Sequence, residues 1–370
     1  MWDDQTMSTA MVLPDFGGHS NTAIVPALTW GTPCQLLPDA VMAAPAVVLL
    51  VLDSLGWMQL DASRDVAPTL SAMEGGSVTT VAPSTTAAAL TSISTGVPPG
   101  EHGIVGYRFA VGGGVMNALR WTVSGADHRD VAVPNVVQAA EPFSGGSWDV
   151  ISQRQFRNSA LTEAYLGDRP YHGYDHPSSI AAIATERVRA GDRRVYAYYD
   201  GLDHVAHIYG VSGPHFRTEL AFCDWLVDQL LQQLPTGTAL VVTADHGQID
   251  APDLLPVHED VLRMVRGRSG EPRFRWLHAA PGATGELAAA AQELHGSRAW
   301  VRTREQVIDE GWFGPNVTDA ARNRLGDVAL VAHEPVGFED PEERYSDRLR
   351  GRHGSLTEAE MLVPVLSAVV

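Results

Sequence analysis

The segment Thr243-Ala244-Asp245-His246-Gly247 places a carboxylate beside an imidazole directly after the apolar run Ala239-Leu-Val-Val-Thr243. That run reads as a buried parallel strand. Asp245 and His246 then leave its carboxyl end, the edge at which open α/β sheets bind ligands. Successive residues leaving a strand point to opposite sides, so the two side chains can each hold a different metal ion. Standing alone, such a pair is more often a polar loop than a metal site.

Other segments carry compatible groups. Asp53 ends the run Ala46–Leu52 and fits either a metal ligand or the cap of the next turn. In Pro83-Ser-Thr85-Thr86-Ala-Ala-Ala, two hydroxyls fall where a helix should begin. The free N–H groups and positive dipole end of such a helix favour a phosphate. A threonine there can be an N-cap, or a nucleophile if a metal lowers its pKa. Tyr199-Asp200-Gly-Leu-Asp203-His204-Val-Ala-His207 offers two Asp-x-x-x-His registers, Asp200/His204 and Asp203/His207. Either lets a carboxylate and an imidazole converge on one ion, and spacing does not choose between them. Arg352-His353-Gly354 lies far downstream, before the final apolar segment.

The elements that must position these groups follow an alternating pattern. Strands are expected at 46–52, 78–82, 193–199, 239–244, 328–332 and 364–369, with helices near 86–95, 178–190 and 214–234. Leu220, Phe222, Cys223, Leu226, Val227, Leu230 and Leu231 give the last helix an apolar stripe. Such alternation implies an α/β fold, a mostly parallel central sheet with helices on both faces. Residues 1–44 read as an irregular leader. Residues 251–326 read as a small α/β insertion beside the active edge, with strands near 274–278 and 299–302 around a helix near 283–294. The catalytic domain is then 45–250 together with 327–370, the chain rejoining the main sheet at Asp327–Ala332.

Composition narrows the function classes. The chain has 370 residues, 45% hydrophobic and 19% charged, with a net charge of −18. All 26 basic residues are arginine. That acidity opposes nucleic-acid binding, which needs a basic footprint, and an anionic substrate must be drawn by local cations. The opening Met-Trp-Asp-Asp lacks the positive start of a secretory signal. No apolar run approaches the roughly 20 residues of a membrane span. Two cysteines are too few for a disulfide framework. A soluble protein of the reducing cytoplasm is expected.

Taken together and in this order, the segments resemble the alkaline phosphatase superfamily, and within it the type I phosphodiesterase/nucleotide pyrophosphatase branch. The resemblance covers about 45–250 and 327–370. It implies a nucleophile ten residues before the Gly of a Thr-Gly pair, and counting back from Gly96 selects Thr86 over Thr85. Glu101-His-Gly-Ile104 also looks like a family segment. The family's Asp-x-x-x-His signature carries a Gly three residues past the His, and Gly210 fits His207. The resemblance therefore implies Asp203, His207 and His353 around one ion, and Asp53, Asp245 and His246 around the other. Mixed N/O ligation suits catalytic Zn²⁺, with Mn²⁺ as the other candidate. Three aspartates against two dications leave a local charge of about +1, which can hold a phosphoryl group.

One position departs from the pattern. Nucleotide-cleaving relatives place an Asn shortly after His-Gly-Ile, where it contacts a phosphate oxygen. Here Tyr107 stands there, followed by Arg108. Tyr107 can substitute by a hydrogen bond or Arg108 by a charge, or both can serve packing alone. The Cys-x-Pro-x-Arg pattern of sulfatases is absent after Thr86. The expected activity is two-metal hydrolysis of a small phosphate ester through a phosphothreonine. A phosphomonoesterase, phosphonate hydrolase or phosphomutase would share the ligands, and a metal-stabilised binding protein is the non-catalytic alternative.

Overall fold

The computed structural model describes residues 10–343 and 348–370; the acidic opening Met-Trp-Asp-Asp lies outside them. A seven-stranded sheet forms the centre, in the order Glu74–Thr79, Leu362–Val369, Thr238–Thr243, Ala46–Leu52, Arg194–Tyr199, Asp149–Gln153, Tyr171–Tyr174. The central strands pair in parallel. Leu362–Val369 runs antiparallel to both neighbours. Neighbouring side chains on a strand face opposite ways, yet every residue of Val47–Leu52 is at most 5% exposed. Both faces are therefore covered, as parallel sheets require. The apolar stripe of Pro214–Gln233 contributes Leu220, Cys223, Leu226, Val227 and Leu230 to the core.

Two main-sheet strands, Asp149–Gln153 and Tyr171–Tyr174, lie outside the expected set. The second has the sequence Tyr-His-Gly-Tyr, without an aliphatic run. The strand expected at 78–82 occupies Glu74–Thr79. Its downstream residues leave the sheet, where the Thr80 hydroxyl donates to the Asp245 carbonyl.

Two expectations need correction. Val328–Ala332 does not rejoin the main sheet. It pairs antiparallel with Phe274–Ala279 and Ala299–Thr303 in a separate four-stranded sheet completed by Val265–Glu271. Its five buried residues fit either sheet, so burial periodicity could not assign it. The described part of the leader is also not merely irregular. It forms a helix at Ile24–Trp30, with Ile24 and Val25 fully buried, and the Asn21 amide donates to the Ala244 carbonyl at 3.0 Å. The leader thus buttresses the strand end that carries Asp245. No helix among the described residues is long and apolar enough to cross a membrane.

Candidate active site

Six of the expected side chains meet at the carboxyl edge of the central strands. Asp53 follows Ala46–Leu52 and is fixed by its own N–H, which donates to the Tyr199 carbonyl at 2.9 Å. Asp245 follows the adjacent Thr238–Thr243, and its Oδ1 accepts from the N–H groups of Ser54 and His246 at 3.1 and 3.0 Å. Asp203 and His207 share one face of the helix Gly201–Tyr209, with Oδ1 and Nε2 at 3.3 Å. His353 follows a two-residue strand, Gly351–Arg352, pinned to Ile249–Asp250.

The groups sort into two triads, Asp203/His207/His353 and Asp53/Asp245/His246, within each of which the candidate ligand atoms lie within 4.8 Å of one another. The triads adjoin: the rings of His246 and His353 stack at 3.7 Å. The alternative register is not assembled. Asp200 sits at the start of the helix and accepts from the Gln153 amide, while His204 is exposed.

The histidines are oriented for ligation. Nδ1 lies 2.9 Å from the Gly351 carbonyl in His207, 2.9 Å from the Ser84 carbonyl in His353 and 3.1 Å from the Gly247 carbonyl in His246. A carbonyl only accepts, so these contacts are made by Nδ1–H, the tautomer that leaves Nε2 its lone pair; His207 Nδ1 also lies 2.9 Å from the Gln248 side-chain nitrogen. Those Nε2 atoms face the acids, His246 Nε2 lying 3.6 Å from Asp53 Oδ1 and 3.4 Å from Asp245 Oδ2.

The acids present a matching deficit. Asp53 Oδ1, Asp203 Oδ1 and Asp245 Oδ2 are buried without a hydrogen-bond partner. Burial, then the charges of Asp245 and Asp203, hold the Asp53 carboxyl well above the usual carboxylate range. Burial also raises Asp245. Burial and the His246 and His207 rings push His353 well below its ordinary value, keeping it in the neutral form that binds metal. Three orphaned carboxylate oxygens facing three imidazole lone pairs fit two divalent cations, which satisfy all of them at once.

Thr86 is the first residue of the helix Thr86–Thr95, and its Oγ1 lies 3.2 Å from His246 Nε2. Thr85, at the N-cap, makes no side-chain capping bond and is 3% exposed, whereas Thr86 is partly exposed. Thr86 lines a pocket of about 300 Å³ together with Asp203, His207 and His353. His102 braces the same helix from below, its Nε2 lying 2.8 Å from Ser92 Oγ.

Tyr107 lines this pocket, its hydroxyl accepting from the Asn117 amide at 2.7 Å. Arg108 does not. It is buried in an ion pair with Asp340 at 2.7 Å, joined by Glu342 at 3.4 Å, so its charge is spent on the fold instead of on a phosphate. Two residues around the site went unforeseen. The Tyr198 hydroxyl donates to Asp53 Oδ2. Glu271, from the second sheet, lines the pocket. Tyr198 sits inside a strand of aromatic residues and Glu271 in a segment with no motif, so no local pattern marks either one.

Comparison with known proteins gives the family and the fold. The model of the type I phosphodiesterase/nucleotide pyrophosphatase family matches residues 47–356, running through the segment read as an insertion. Murine ectonucleotide pyrophosphatase/phosphodiesterase 5 superposes with a TM-score of 0.66 at 18% identity, over 87% of each chain. Phosphonoacetate hydrolase from Sinorhizobium meliloti 1021 superposes with a TM-score of 0.62 at 19% identity, over 88% of this chain and 90% of that one. Among curated proteins, GPI ethanolamine phosphate transferase 3 of Schizosaccharomyces pombe is 28% identical over 103 residues, 27% of this chain and 11% of that protein. The chain belongs to the type I phosphodiesterase/nucleotide pyrophosphatase family.

Proposed function

We propose that this phosphoester hydrolase cleaves small phosphodiesters with two divalent ions, Zn²⁺ in the first instance, through a covalent phosphothreonine at Thr86. The observation that carries the reading is the set of three partnerless buried carboxylate oxygens beside the Thr86 hydroxyl. Asp203, His207 and His353 would hold one ion, and Asp53, Asp245 and His246 the other. When bound, the ions supply Lewis-acid stabilisation of the phosphoryl and leaving oxygens and lower the pKa of a hydroxyl.

The chain's own residues do the remainder. The fixed start of the helix Thr86–Thr95 holds Oγ1 in place, so little orientational entropy is lost on attack. Oγ1 forms a bond to phosphorus as the bond to the leaving alkoxide breaks, and the hydroxyl proton passes through solvent to that alkoxide, which departs as the alcohol. Water then attacks phosphorus, the Thr86 ester bond breaks, and the hydroxyl is restored. The Nδ1-to-carbonyl bonds of the three histidines keep their rings fixed through both steps.

The test is turnover of aryl phosphodiesters, aryl phosphomonoesters and phosphonates by protein supplied with Zn²⁺ or Mn²⁺. Diesters are expected to be cleaved fastest, and Thr86→Ala to lower kcat by at least about 10³-fold with metal content and melting temperature retained. A Thr86→Ala protein of normal activity contradicts the reading. No turnover of any ester by wild-type protein with both sites filled favours a metal-stabilised binding protein.

A further inference from the structure

Glu271 ends the strand Val265–Glu271 and reaches the pocket from the second sheet. It is 4% exposed. Oε2 accepts from the Tyr107 N–H at 3.3 Å, while Oε1 is buried with no partner. The two arginines next to it in the chain are engaged elsewhere, Arg275 with Glu343 at 2.6 Å and Arg273 with Glu360 at 2.7 Å, while Arg120 and Arg352 share the pocket wall. A buried carboxyl with one oxygen unsatisfied is costly and calls for a reason.

The surroundings are shaped for this side chain. Gly354, directly after His353, has φ +120°, and a Cβ there would lie 2.6 Å from Glu271 Cγ. Gly106, directly before Tyr107, has φ +150°, and a Cβ there would lie 3.3 Å from Oε2. Glu271 therefore fits between the segments bearing His353 and Tyr107. Burial raises its carboxyl to about 8.

Resting on the hydrolase reading above, we propose that Glu271 is a specificity residue whose Oε1 hydrogen-bonds a hydroxyl on the organic part of the substrate, so that phosphoesters of small polyhydroxy alcohols are preferred. A hydroxyl both donates and accepts, so it satisfies Oε1 in either protonation state of the carboxyl. Leu119, Pro272 and Leu349 supply apolar contact for carbon atoms. A volume of about 300 Å³ lies at the small end of ligand sites, which fits a glycerol-sized group.

The test compares p-nitrophenyl glyceryl phosphate with p-nitrophenyl propyl phosphate, which share a leaving group and differ only in the hydroxyls. Wild-type full-length protein with Zn²⁺ is expected to favour the glyceryl ester by roughly 10- to 100-fold in kcat/KM, since a site built for a hydroxyl discriminates against its absence. Glu271→Leu should bring that ratio to about one, and Glu271→Gln, which keeps a donor and an acceptor, should retain most of it. Cleavage of both esters by wild-type protein at equal rates overturns the inference while leaving the hydrolase reading intact. A ratio unchanged in Glu271→Leu overturns it as well. Cleavage of neither ester, nor of any other, removes the hydrolase reading and this inference with it. The wild-type comparison stands even if the leucine variant does not fold.

Discussion

Arg273 and Glu360 form a bidentate ion pair with both side chains fully buried, Nε to Oε1 and Nη2 to Oε2 at 2.7 Å each. Arg273 lies in the turn between two strands of the second sheet, and Glu360 in the short helix after His353. Glu360 also accepts from the Ser355 N–H at 3.0 Å and the Thr357 hydroxyl at 2.5 Å. The second sheet is thereby locked to the segment that supplies a candidate ligand. Removing one partner leaves an uncompensated buried charge, worth about 3–5 kcal/mol. Arg273→Met should lower unfolding free energy by that amount in urea titrations, and an effect under about 1 kcal/mol would contradict the assignment.

Tyr198 holds Asp53 through a hydrogen bond that leaves Oδ1 turned to the metal triad. Groups that orient ligands typically contribute 10- to 100-fold to metal affinity. Tyr198→Phe removes only an oxygen from a buried ring. Competition with a chromogenic chelator should show one of two Zn²⁺ ions bound about 10- to 100-fold more weakly. Unchanged affinity at both sites would show that Tyr198 serves packing alone.

His102 supplies a pH dependence away from the candidate ligands. Burial, then the Arg324 charge, lowers its pKa to about 3, from an ordinary 6.5. A depressed folded value means that the neutral ring is favoured by the fold. Its contribution is complete above about 6.5 and is lost as pH falls toward 3, at up to about 1.4 kcal/mol per pH unit. Within the fold, Nδ1 accepts from the Ile104 N–H at 3.1 Å, a bond that protonation breaks. His102→Gln should flatten the fall of unfolding free energy between pH 6 and pH 4 by roughly that slope. Parallel curves for the two proteins would contradict it.

Much of this arrangement was legible in the sequence because strand ends are marked by abrupt changes of polarity. Asp53 and Asp245 each follow a run of buried aliphatic residues, which fixed their edge of the sheet. The pairing of His353 with Asp203, 150 positions away, followed only from family resemblance, since no local period links them. Arg108 misled because charge beside a candidate phosphate site is ambiguous until its partner is known, and Asp340 is remote in sequence. Val328–Ala332 misled because a fully buried strand looks alike in either sheet. Tyr198 and Glu271 were illegible for a related reason: each acts through a contact to a residue more than a hundred positions away.

The most direct measurement is anomalous diffraction at the zinc edge from crystals of wild-type protein grown with Zn²⁺. Two peaks are expected, one bounded by Asp203, His207 and His353 and the other by Asp53, Asp245 and His246, with the Thr86 hydroxyl beside the second. Zinc bound only elsewhere on the surface, or absent from both triads, would contradict the account.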